Sequence, residues 1–136
     1  MNEFIWPVRV YYEDTDSGGV IYYANYLKFM ERARTEWLRS IGFEQDKLLS
    51  GENIVFVVRS VTLDFHKPGR FNQLLNVISR IIERGKASLT FEQKVVSHPG
   101  NSILCAGQVK LACVDAIGWR PCPIPATIAA QIPAEI

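Results

Sequence analysis

Residues 10–34 read VYYEDTDSGGVIYYANYLKFMERAR, and those best suited to chemistry are Asp14 and Asp16, followed closely by Gly18 and Gly19. The glycines let the chain turn sharply and admit a ligand close to the backbone. The segment after them leads into a helix, whose first N–H groups have no intrahelical acceptor. Those donors, together with the helix dipole, can hold negative charge developing on an oxygen. A carboxylate beside them makes a minimal acyl-transfer site. The amides polarise a carbonyl, and the carboxylate attacks it or activates a water. The same residues also suit a structural role, since aspartate is common in turns and helix caps. A D-x-D metal site is disfavoured because His66 and His98 belong to distant loops. Glu31, about two turns into the helix, could reach a shared pocket or pair on the surface with Arg32 or Arg34.

These residues need elements to position them. Residues 5–13, IWPVRVYYE, alternate as a strand, with Val8, Val10 and Tyr12 on one face and Arg9 and Tyr11 on the other. Pro7 points to an edge position. After the Asp/Gly loop, Tyr26, Phe29, Met30, Ala33, Trp37, Leu38 and Ile41 recur at helical spacing, and Gly42 stands where a C-terminal cap is expected. From about residue 53 to 115 the period becomes two. IVFVVRSVTLDF puts Val57, Val61, Leu63 and Phe65 on one face, opposite Ser60, Thr62 and Asp64. Glycine-bearing breaks at 66–72, 83–86 and 98–101 fit antiparallel hairpins. The order of one strand, one helix and about four further strands predicts an α+β fold with the helix laid on an antiparallel sheet. Its open edges favour self-association. The proline-rich segment from about 122 to 136 is expected to lie along the surface.

Size and composition narrow the function. The 136 residues suit a single domain, and the formal charge of +1 argues against nucleic acid as the main partner. Cys105, Cys113 and Cys122 form no C-x-x-C pair, which fits reduced thiols, with Cys105 and Cys113 in the core. The first residues, MNEFIWPVRV, lack the basic and apolar regions of a secretory leader, and no apolar run is long enough to span a bilayer. A cytoplasmic protein without a membrane anchor is expected.

The run YYEDTDSGGVIYYANYLKFMERAR resembles the signature of the 4-hydroxybenzoyl-CoA thioesterase family of hotdog-fold proteins, closest to its Tol-Pal-associated acyl-CoA thioesterase branch. The likeness continues into VVRSVTLDFHKPGRF and WRPCPIP, so it covers most of the chain. It implies a hotdog: a long helix wrapped by about five antiparallel strands, assembled as homodimers and often homotetramers. It places the catalytic aspartate on Asp16 and the carbonyl-polarising amide on Tyr23, in the first turn of the helix. Gly19 and Val20 would line the approach, and a second subunit would complete each pocket. Many members of the branch have histidine where this chain has Tyr23. Tyrosine can replace it if the backbone N–H is the acting group.

The activity implied is hydrolysis of an acyl-CoA thioester, with Asp16 as base or nucleophile. No metal or organic cofactor is expected, because a thioester is already reactive towards water and coenzyme A belongs to the substrate. Its phosphates call for basic residues at a strand end. Arg84 and Lys86 in ERGKAS are candidates, and Lys67 and Arg70 offer a second pair. Arg59, set among apolar residues, is either a further substrate contact or half of a partly buried ion pair. Two other readings stay open: a thioesterase acting on acyl carrier protein, and a non-catalytic acyl-CoA binding module. A hotdog dehydratase fits less well, since neither His66 nor His98 lies in the loop–helix segment.

Overall fold

The structure, a computed structural model, describes residues 3–132. Five strands, β1 (Phe4–Arg9), β2 (Ile54–Phe65), β3 (Leu74–Arg84), β4 (Ser88–His98) and β5 (Ile103–Asp115), form one antiparallel sheet in the order β1-β3-β4-β5-β2. The long helix α1 (Asn25–Ser40) lies on one face. Tyr26, Phe29, Met30, Ala33 and Leu38 are buried, as the periodicity predicts. The helix ends in a Schellman motif: Gly42 N–H donates to Arg39 O at 3.0 Å and Phe43 N–H to Leu38 O at 3.1 Å. β1 is an edge strand pairing only with β3, which accommodates Pro7.

Several expectations need correction. β1 stops at Arg9, and Tyr12 belongs to a 3-10 turn, Tyr12–Asp14, where its ring is exposed. Residues 66–72 do not close a hairpin, because β2 pairs with β5 at the opposite edge from β1 and the chain must cross the end of the sheet to begin β3. A short helix, α2 (Gln45–Glu52), lies between α1 and β2 where the pattern predicts no element; only Leu48 is buried, so its apolar stripe is too thin to register as a period.

β2 carries a bulge at Arg59: Val58 stands opposite Leu111 while Ser60 stands opposite Lys110. One extra residue reverses the alternation. Val58, Val61, Leu63 and Phe65 therefore share the face of Val109 and Cys105, and Val57 joins Ser60, Thr62 and Asp64 on the other. The strict period-two reading had placed Val57 with Val61.

Two clusters fill the space between helix and sheet. One gathers Val8, Val10, Ile21, Tyr26, Phe29, Met30, Leu75, Val77, Val95 and Cys105; the other gathers Leu38, Leu48, Leu89, Phe91, Val109, Leu111 and Cys113. The second is closed by the C-terminal segment. That segment is packed rather than draped on the surface. Ile124 and Ile128, the latter in the short helix α3 (Ala126–Ala129), are buried in it together with Ile132. Residues 133–136 of the expected tail lie outside the described residues.

Arg34, assigned by spacing to the polar face of α1, is buried. Its Nη1 donates to Gln93 Oε1 at 2.9 Å, and Gln93 Nε2 donates to Met30 O at 3.0 Å and Ser79 Oγ at 2.9 Å. Burial lowers the guanidinium pKa, which the nearby Glu31 carboxylate opposes. The glutamine supplies what a wholly apolar core could not, an acceptor for a buried cation.

Candidate active site

The loop between β1 and α1 gives its two aspartates opposite tasks. Asp14 is buried; its Oδ2 accepts from Tyr11 N–H at 2.8 Å and its Oδ1 from Asn25 Nδ2 at 2.9 Å. Its carbonyl accepts from Tyr22 N–H at 2.9 Å. Asp14 thus ties both arms of the loop to the start of the helix, the structural role that aspartate spacing alone left open. Asp16 is exposed at the tip of a small hairpin, where Asp16 N–H donates to Val20 O at 2.9 Å and Gly19 N–H to Asp16 O at 3.0 Å. Gly19 sits at φ +80°, the left-handed position that closes a three-residue hairpin loop. Gly18 N–H donates to Asp16 Oδ1 at 2.8 Å, which orients the carboxylate. Among the described residues Asp16 Oδ2 has no donor, and it faces solvent.

Tyr23 is not in the first turn of the helix. α1 begins at Asn25 with Ala24 as its N-cap, because Asn25 N–H donates to Tyr22 O at 2.8 Å and holds Tyr22–Ala24 in a preceding turn. Among the described residues the Tyr23 N–H meets no acceptor, backbone or side-chain. Its ring is 62% exposed and meets Phe65 edge-on, centroids 6.3 Å apart. Ile21, Tyr23, Tyr26, Phe65, His66, Lys67 and Pro68 line an open hollow of about 300 Å³. Lys67 is therefore a basic residue at this hollow. Asp16 lies on the adjoining turn, outside its wall.

The floor of the hollow is fixed by Tyr26, which sequence spacing marked only as part of the core stripe. Gly69 N–H donates to the buried Tyr26 hydroxyl at 3.2 Å, and Ile21 N–H donates to Gly69 O at 2.8 Å. Burial raises the Tyr26 pKa, so the phenol stays neutral. A Cβ at Gly69 would run into the end of the buried Ile21 side chain and crowd the Tyr26 hydroxyl, so a larger residue there would displace Ile21. Val20 bridges to Arg70 and completes the seam between the two loops.

The basic residues predicted for coenzyme A lie elsewhere. Arg84 and Lys86 sit at the β3–β4 turn, the far end of β3 from the 66–73 loop, which is roughly 33 Å along an eleven-residue strand. One chain does not bring them to Asp16. Arg84 Nη1 donates to Ala129 O at 2.9 Å and Ile132 O at 3.4 Å, so this guanidinium holds the C-terminal segment. Lys86 is exposed and carries no ion pair among the described residues. Arg59, expected in an ion pair, is exposed on the bulge and unpaired among the described residues, because the bulge lifts it out of the ladder. Glu31 pairs with neither Arg32 nor Arg34; its Oε2 accepts from the Thr35 hydroxyl at 2.6 Å. Cys105 and Cys113 are buried as expected, and burial pushes their thiols up to about 11 and about 12.

An antiparallel sheet wrapped on one long helix, with an exposed carboxylate in the loop before that helix, defines a hotdog protein of the thioesterase class. Comparison with known proteins agrees: residues 18–104 match the Thioesterase superfamily, and the chain belongs to that family. It is 43% identical over 128 residues to an acyl-CoA thioester hydrolase, YbgC, of Escherichia coli O6:H1, covering 94% of each chain. It is 42% identical over 129 residues to the acyl-CoA thioesterase YbgC of Haemophilus influenzae, covering 95% of this chain and 93% of that one. Among solved structures, a probable thioesterase from Bartonella henselae superposes with a TM-score of 0.85 at 35% identity, covering 90% of this chain and 99% of that one.

Proposed function

We propose that the protein hydrolyses acyl-CoA thioesters, with Asp16 as the reacting carboxylate and the Tyr23 backbone amide as oxyanion donor. The observation that carries this reading is the pairing of an oriented, exposed carboxylate with an acceptor-free N–H on the two arms of one hairpin. The relatives named as acyl-CoA hydrolases support coenzyme A as the carrier. The Tyr23 amide polarises the thioester carbonyl and stabilises the oxyanion, an effect of about 2.7–4 kcal/mol for one well-placed donor. Asp16 either attacks the carbonyl carbon, giving an acyl–aspartyl anhydride that water then opens, or takes a proton from the attacking water. In both routes the thiolate of coenzyme A leaves and is protonated. Gly19 and Val20 form the turn that the thioester must pass.

The working unit in this proposal is a dimer. β2 is an open edge whose Val58 and Phe65 are 50% and 51% exposed, an unusual surface for a lone chain. Joining two β2 edges antiparallel brings the Lys86 end of one sheet towards the Asp16 end of the other. That arrangement answers the 33 Å separation within one chain, roughly estimated from strand rise.

Thiol release from short, aromatic and long acyl-CoAs by wild type and Asp16→Asn tests the reading. Turnover of at least one substrate, lost by about 10³-fold or more in the folded variant, is the expected result. Binding without turnover by both proteins would instead identify a binding module, or a carrier-protein substrate if acylated carrier protein is cleaved. A single turnover in ¹⁸O water separates the two routes, since only the anhydride route places label in Asp16. Tyr23→Pro, which removes the N–H, is expected to lower kcat by about 10²–10³-fold, whereas Tyr23→His keeps it.

A further inference from the structure

The thioester chemistry uses none of the three cysteines, yet two of them face each other. Val114 and Pro121 form an antiparallel bridge, which sets Cys113 directly opposite Cys122. Cys122 N–H donates to Cys113 O at 2.9 Å, and the two Sγ atoms are 3.7 Å apart. Opposed residues in an antiparallel pair have Cα separations of about 4.5–5.5 Å, inside the span that a disulfide bridges. A disulfide requires the sulfurs to close from 3.7 Å to about 2.05 Å. Cys113 is fully buried while Cys122 is half-buried and within reach of solvent. Cys105 sits eight residues away along β5, roughly 27 Å, and does not compete.

We propose that Cys113 and Cys122 form a modification site at which hydrogen peroxide closes a disulfide that fastens the C-terminal segment to β5. The Cys122 thiolate attacks one peroxide oxygen, giving a sulfenic acid and hydroxide. The Cys113 sulfur then attacks the Cys122 sulfur and expels hydroxide. Each hydroxide takes one thiol proton and leaves as water. Two thiols are oxidised by two electrons in total, and one peroxide is reduced to two waters. The order follows from access: Cys113 is fully buried and its burial pushes the thiol up to about 12, whereas Cys122 is half-buried, so Cys122 meets the oxidant first.

The bond would act on more than a loose end. The segment it fastens carries Ile124, Ile128 and Ile132 into the second core cluster, and its carbonyls at Ala129 and Ile132 hold Arg84. Ile124 N–H donates to Lys86 O at 2.9 Å, so the β3–β4 turn is fixed with it.

The test treats the purified full-length protein with hydrogen peroxide, blocks free thiols, and maps peptides without reduction. The tryptic peptide beginning at Leu111 holds both cysteines and is expected to be lighter by two hydrogens, with Cys105 still free. Tm is expected to rise by roughly 5–10 °C and to return with dithiothreitol. Cys122→Ser should lose both effects, and Cys105→Ser should keep both. Conversion of Cys122 to sulfinic acid with Cys113 unlinked would overturn the proposal, as would a link to Cys105 or to a second chain. Closure with no gain in Tm would overturn the fastening.

Discussion

The two ends of the sheet are built on different terms. At the loop end, polar contacts do the holding: Asp14 on Asn25 and Tyr11, Tyr26 on Gly69, Gly69 on Ile21. Aromatic rings are left outside there, and Tyr12 stacks on Phe71 with centroids 4.0 Å apart. At the tail end, side chains do the filling, and isoleucines of the C-terminal segment close the second cluster. Directional bonds can fix a loop while leaving a hollow open; close packing cannot. On the proposed mechanism the loop end carries the chemistry, while the C-terminal segment contributes packing.

The sharpest way to break that division is at Asp16. Asp16→Asn should lower kcat/KM by about 10³-fold or more with Tm unchanged, because the residue is exposed and its loss leaves nothing buried without a partner. A drop in Tm would make Asp16 a structural residue. Ile128→Ala is the mirror case: it empties a fully buried site and should cost about 2–5 kcal/mol in urea unfolding with kcat retained. Asp14→Ala joins the two ends of the scale. Removing two acceptors should cost about 1–3 kcal/mol and lower activity as well, since the loop loses its anchor. Arg84→Met should cost only about 0.5–1.5 kcal/mol, measured the same way.

Alkaline pH sharpens the comparison without mutation. Cys105 and Cys113, one in each cluster, have thiols raised to about 11 and about 12. The folded state keeps these protons where the unfolded chain has released them. Their contribution is whole below the ordinary thiol range and is lost as pH rises through it towards about 12. Thermal unfolding should therefore show Tm falling across that window, less steeply in Cys105→Ala. An equal slope in the variant would remove Cys105 from the account.

Much of this was legible from residue pattern. Alternation marked the strands, the three-and-four spacing marked α1, and the Asp/Gly loop stood out by composition. What pattern missed has physical reasons. Strand order depends on contacts far apart in sequence, so the 66–72 crossing read as a hairpin. Arg34 looked like a surface charge because its acceptor, Gln93, lies 59 residues away. The C-terminal segment looked proline-broken and superficial, although every fourth residue from Ile124 to Ile132 is an apolar side chain facing inward. At the candidate site the loop was visible, but the division of labour between Asp14 and Asp16 was not, because it rests on which carboxylate the fold buries.

The bulge at Arg59 makes β2 one residue longer than its ladder with β5 requires. Upstream of it one set of side chains faces the helix, and downstream the opposite parity does. Arg59→Ala keeps that count and should leave the circular dichroism spectrum intact. Deleting Arg59 removes the one residue without a partner on β5 and joins Val58 to Ser60 in unbroken alternation, so Phe56, Val58, Val61 and Leu63 keep their common face and the spectrum should also survive. A lineage carrying this fold can therefore gain or lose the codon at this one position while both faces of β2 stay as they are.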